Sequence, residues 1–218
     1  MRSCLILSLA VVFGCGSEAA RPDAAANFSF FITSAGNPSG GDFRRTPADA
    51  DGLAGADEFC RSKAAAGAPA SANRMWRAYL STDKVNAKDR IGSGPWFNYA
   101  GVMVAASVSA LHDPMMNQIG KTTGLDETGG MVPGAGDNPN QHDIVTGTNA
   151  DGTASAGTCA NWTSAATTGF VAVVGHFDRT GGGADPTSWN SAHPSQGCAA
   201  ASFPPTGGRG SIYCFAAD

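Results

Sequence analysis

Gly55-Ala56-Asp57-Glu58-Phe59-Cys60, followed at some distance by Met75-Trp76-Arg77-Ala78-Tyr79-Leu80-Ser81, is the stretch on which the fold turns. From Gly55 to Ala66, residues Ala56, Phe59, Cys60, Lys63 and Ala64 recur at helical spacing, and Gly67 supplies a stop. Asp57 and Glu58 fall in the expected first turn, where negative charge suits the helix dipole. Cys60 then points inward. From Met75 the period changes to two, with Trp76, Ala78 and Leu80 on one face of a strand.

Outward from this unit, Phe28 to Thr33 reads as a first strand ending at the Ser34-Ala35-Gly36-Asn37-Pro38 turn. Downstream, Asp83 to Ile91 and Ser107 to His112 suit short helical turns, and Val102 to Val104 a strand. Phe170 to Val174 and Gly210 to Phe215 read as core strands. Between Gly120 and Gly157 nearly every residue is a turn former, and loops of that length are commonly mobile or functional. The plan is α+β, with few helices, several short strands and a large loop region.

Of the 218 residues, 42% are hydrophobic and 15% charged, so the chain can bury a core. Size favours one large domain. The net charge is −4 and Arg44-Arg45 is the lone dibasic pair. Without clustered Lys/Arg, neither nucleic acid nor an anionic membrane surface is an expected partner.

The N-terminus reads as an export signal. Arg2 precedes the apolar run Leu5 to Phe13, too short to span a bilayer. Val12-Phe13-Gly14-Cys15-Gly16-Ser17 resembles a bacterial lipobox, with Phe13 bulkier than usual. This implies a signal peptide over 1–14, lipidation of Cys15, and a small polar tether over 15–27 ahead of a domain at 28–218. Gly16 in place of Asp leans towards the outer membrane or cell surface, with the lipid as the one membrane contact. Cys60, Cys159, Cys198 and Cys214 remain for an oxidising compartment, and spacing leaves their three possible pairings open.

Several pieces in order resemble the endostatin domain, which has the C-type lectin-like fold. They are the Gly55–Cys60 helix and the Trp76-Arg77-Ala78-Tyr79-Leu80-Ser81 strand, then Thr146-Gly147-Thr148 with Cys159-Ala160-Asn161-Trp162, and finally Cys198 and Ile212-Tyr213-Cys214-Phe215. The match runs from about Phe28 to the end and is similar to bacterial endostatin-like surface lipoproteins. It implies nested disulfides, Cys60 with Cys214 and Cys159 with Cys198. On the chain-entropy model these closures contribute roughly 5 and roughly 4 kcal/mol. The resemblance also implies a binding domain for an extracellular glycan or protein rather than an enzyme.

Two constellations could carry chemistry. Sugar-binding C-type lectins place a Pro-containing tripeptide before the second cysteine and a Trp-Asn-Asp before the third. Asn138-Pro139-Asn140 and Trp189-Asn190-Ser191 occupy those places, with Asp137 and Asp143 nearby. Such oxygens suit calcium, so Asn138, Asn140, Asp143, Trp189 and Asn190 are ligand-binding candidates, with Trp189 the expected exposed aromatic. The competing reading is a turn plus a buried tryptophan. The second constellation is His142-Asp143, His176-x-Asp178 and His193, which suits a transition metal or a general base if the loops converge. It supports the alternative of a metal-dependent hydrolase. Endostatin's zinc ligands lie in an N-terminal His-rich segment without a counterpart here. A structural envelope lipoprotein without a ligand is the third class.

Overall fold

The computed structural model describes residues 23–218. The expected signal peptide, the lipidation at Cys15 and the first part of the tether lie outside the described residues. In chain order the elements are β1 (Phe30–Ile32), α1 (Leu53–Gly67), β2 (Trp76–Ala78), β3 (Trp96–Phe97), β4 (Met103–Ala105), α2 (Val108–Leu111), β5 (Asp143–Val145), β6 (Val173–His176), β7 (His193–Pro194) and β8 (Gly208–Ala216), joined by short 3-10 turns and long loops. The mixed α and β content and the two disulfides match the sequence plan. No helix among the described residues is long and apolar enough to cross a membrane.

The nine-residue β8 is the axis of the main sheet. β1 runs antiparallel along one of its edges, placing Phe31 opposite Cys214. On the other edge β2 pairs antiparallel with its end, Ala78 opposite Cys214, and β5 pairs parallel with its start, Asp143 opposite Gly208. β6 and β7 continue the sheet antiparallel beyond β5. The pleat sends alternate residues of β8 to two apolar layers. Ile212, Cys214 and Ala216 face α1 together with Phe31, Trp76 and Trp162, while Tyr213 and Phe215 face Phe30, Trp96 and Trp189.

Cys60 pairs with Cys214 and Cys159 with Cys198, with Cα–Cα distances of 5.6 and 5.7 Å. The first bridge ties α1 to β8, and the second ties the turn before β6 to the segment after β7. Both fit an oxidising compartment.

The structure corrects several details. α1 begins at Leu53, two residues before the expected start, so Asp57 lies beyond its first turn. Its carboxylate instead holds Arg90 at 2.8 and 2.9 Å, Arg77 at 2.8 Å and the Ala78 amide at 2.9 Å. The run 170–174 is shifted: Phe170 and Val171 are 49% and 37% exposed, and the strand occupies Val173–His176. The turn-rich region 120–157 is not merely loop, since it supplies β5 at the centre of the sheet. Cys159 to Trp162 forms a left-handed turn, with φ of 48°, 54°, 61° and 63°. Four consecutive residues with a Cβ rarely adopt that hand, because each Cβ crowds the following carbonyl. The Cys159–Cys198 bridge and the Trp162 indole, which donates to the Ser81 carbonyl at 2.6 Å, hold it in place.

Candidate functional site

The pleat and the strand register assemble a cluster at the end of the sheet. Asp143 on β5 sits directly opposite His176 on β6, so their side chains share a face. Val174, two residues before His176 and on that same face, pairs with His193 on β7. His142 joins from the mouth of β5, where its carbonyl accepts the Phe177 amide at 3.2 Å.

Asp143 Oδ1 lies 3.2 Å from His142 Nε2, 3.3 Å from His176 Nε2 and 3.5 Å from His193 Nε2. The core of His142, Asp143 and His176 is buried, with side chains 5%, 2% and 0% exposed, and their ligand atoms lie within 4.8 Å of one another. His193 stands outside that tight group, with its side chain 18% exposed. The nitrogens are at ion-pair distance, but their directions are wrong for hydrogen bonds. Both Asp143 oxygens and His176 Nε2 therefore lack a hydrogen-bond partner among the described residues.

The other ring nitrogens are all engaged. His142 Nδ1 donates to Asp178 Oδ1 at 3.2 Å, His176 Nδ1 to the Pro186 carbonyl at 3.0 Å, and His193 Nδ1 to the Pro194 carbonyl at 3.0 Å. A carboxylate or carbonyl can only accept, so each Nδ1 carries a hydrogen, and each Nε2 lies on the side of the Asp143 carboxylate. Burial would raise the Asp178 pKa, but the bond from His142 and those from the Ala135 and Thr180 amides hold it at about 2. Burial disfavours the charged form of His176; Asp143 and the Pro186 carbonyl more than offset it, so its pKa lies above the ordinary imidazole value.

His142, Asp143 and His176, with His193 beside them, are donors that could hold a divalent transition metal. Tetrahedral bonds of about 2.0–2.1 Å put neighbouring donors about 3.3 Å apart, close to the contacts that His142 and His176 make with Oδ1, while His193 lies outside the group of ligand atoms within 4.8 Å of one another. The Asp178–His142 pair is the orienting carboxylate such sites use behind a ligand. The His142 and His176 rings stack, with centroids 4.2 Å apart and planes 14° apart, whereas His193 meets His176 edge-on at 65°.

The loop after β6 covers the cluster with three glycines. A Cβ at Gly181 (φ +126°) would stand 2.6 Å from His142 Cε1 and 3.1 Å from His176 Cε1; one at Gly183 would stand 2.9 Å from His193 Cδ2. A Cβ at Gly182 would meet nothing within 4 Å. Surface clefts of about 670, 590 and 380 Å³ lie elsewhere, and none is lined by a member of the cluster.

The sequence candidates therefore divide. His142, His176 and His193 converge as their grouping required. Asp143, named with both constellations, lies among the three histidines, and Asp178 stands behind His142 on its Nδ1 side. Asn190 is corrected: it is 1% exposed, donates to the Tyr79 hydroxyl and the Asn149 and Ala150 carbonyls, and accepts from Ser188. That leaves its amide committed to holding the loop. Trp189, expected as an exposed contact, is 4% exposed and packs on Tyr79 and Tyr213 at 4.9 and 5.0 Å. Its large apolar surface closes the second layer. Asn138 is exposed, and Asn140 accepts the His142 amide at 3.2 Å. Sequence reasoning missed Gly181 and Gly183, whose signal was the run of three glycines between His176 and His193. No protein-family model matches the chain, and no curated protein matches it.

Proposed function

We propose that this chain is an exported domain that holds a divalent transition metal, zinc foremost, on His142, Asp143 and His176, with His193 as the fourth donor. One observation carries this reading: a buried carboxylate without a hydrogen-bond donor has three imidazole Nε2 atoms within 3.5 Å of its Oδ1. Without a cation that arrangement sets acceptor against acceptor in a low-dielectric interior, which is costly. Nitrogen-rich donors suit zinc and its neighbours better than calcium or magnesium, and the lack of sulfur disfavours Cu(I). The burial of His142, Asp143 and His176 supports a structural role, a third staple beside the two disulfides.

The test is elemental analysis of the full chain, with disulfides intact, after zinc loading and dialysis. One equivalent should be retained, and the His176→Ala variant should lose it. Zinc retained equally by the variant, or no zinc in either, would overturn the reading. The opposing account places protons rather than a metal among these groups. It is supported by His142, which has a carboxylate 3.2 Å from each ring nitrogen, and it predicts no bound zinc.

The wider setting is a proposal of the same kind. The observed nested disulfides are those the endostatin resemblance implies and support a C-type lectin-like fold, while the lipobox-like stretch Val12–Ser17 supports an anchor through Cys15. The partner in that setting is an extracellular glycan or protein, and the metal is internal. A glycan array and a pull-down from extracellular matrix would test it, with no specific capture counting against it.

A further inference from the structure

The stacked pair His142 and His176 bears on what the metal does to the surface, and this inference rests on the metal reading above. Imidazole lone pairs lie in the ring plane. With planes 14° apart and centroids 4.2 Å apart, the two stacked rings share no plane in which both Nε2 lone pairs could meet. They cannot both meet one ion about 2 Å from each nitrogen unless a ring turns. His176 is fully buried in β6, and its Nδ1 is tied to the Pro186 carbonyl. His142 stands ahead of β5, and its Nδ1 is held by Asp178 in the loop after β6 at 3.2 Å, so a turn of this ring draws that loop with it.

The Cε1 edges of both rings lie under Gly181, at a separation that leaves no room for a Cβ. A turning ring therefore presses on the backbone of residues 180–185, which are exposed on their outer side. The segment is anchored on one flank, where Arg179 Nε donates to the Ile119 carbonyl at 2.8 Å, and on the other, where the Ala184 amide donates to the Ala192 carbonyl at 3.2 Å. Between these anchors the three glycines are its least restrained part, since glycine has the widest backbone freedom.

We propose that the arc Thr180–Asp185 is a metal-responsive surface, whose conformation reports whether the centre beneath it is filled. The ion acts through the His142 ring on Gly181. A protein or protease that reads the exposed arc would then distinguish loaded from empty protein, although the metal itself is out of reach.

Hydrogen exchange on the full chain, disulfides intact, with and without one equivalent of zinc, tests this beside a calorimetric zinc titration. The expected result is zinc binding with a change of about tenfold or more in amide protection across 178–187, while β8 is unmoved. Binding without any change in the arc overturns the inference and leaves the metal reading standing. Absence of binding overturns both. A variant pair adds a second readout. Gly181→Ala should weaken zinc by about tenfold, because its Cβ wedges the arc off the rings, while Gly182→Ala, whose Cβ meets open space, should stay within about twofold. Equal affinities in the two variants would also overturn the inference.

Discussion

Asp143→Asn should make the metal-free protein more stable and the metal-loaded protein no better. The native carboxylate is 2% exposed, and neither oxygen has a hydrogen-bond donor. An amide of the same shape removes the charge and brings an N–H₂ group that can donate to the His142 or His176 lone pair. Relief of an unsatisfied buried polar group amounts to about 1–3 kcal/mol. For a domain of this size about 2–4 °C of Tm accompanies each kcal/mol, so the metal-free variant should melt roughly 2–12 °C above the wild type. Zinc at about 100 times its Kd adds about 2.7 kcal/mol to the wild type, and the variant, lacking the anionic ligand, should gain little. Differential scanning calorimetry at neutral pH, in chelator and then in zinc, reads all four states. If Asp143→Asn lowers the chelated Tm and leaves the zinc increment intact, the carboxylate is neither frustrated nor a ligand, and the reasoning fails.

Asp178→Asn should lower zinc affinity by about 10–100-fold, because it weakens the acceptor that orients His142; competition against a chromophoric chelator measures this. Trp189→Ala should cost about 3–5 kcal/mol from loss of buried aromatic packing, seen as a fall in the urea midpoint, whereas an exposed sugar-stacking tryptophan would leave stability unchanged. Ala160→Gly should stabilise by about 1 kcal/mol, because φ of 54° is natural for glycine and strained for alanine. An unchanged or lowered melting temperature would count against the left-handed turn.

What the sequence disclosed follows from which signals are local. α1 and β8 could be read because their apolar periodicity is long enough to fix both type and face. β5 could not, since it is three residues, Asp143-Ile144-Val145, set among turn formers and opening on a charged residue. The apolar run before His176 lacks alternation, so nothing in it fixed where the strand begins. The histidines were visible as candidates, but their roles were not. Which aspartate enters the cluster depends on Asp143 facing His176 across the sheet, a pairing between residues far apart in the chain. Trp189 illustrates the same limit, since only the packed neighbours decide whether an indole faces core or solvent.

The place of β8 at the axis of the sheet also governs biosynthesis. β1 and β2 both pair with β8, and the Cys60 bridge closes onto it. A chain that emerges N-terminus first presents Phe30 to Ile32 and Trp76 to Ala78 while their partner is still unsynthesised. At about 5–20 residues per second, the interval from Ile32 to Gly208 lasts roughly 9–35 s. Until then the sheet has no centre, and oxidation of Cys60 with Cys214 can only follow the synthesis of β8.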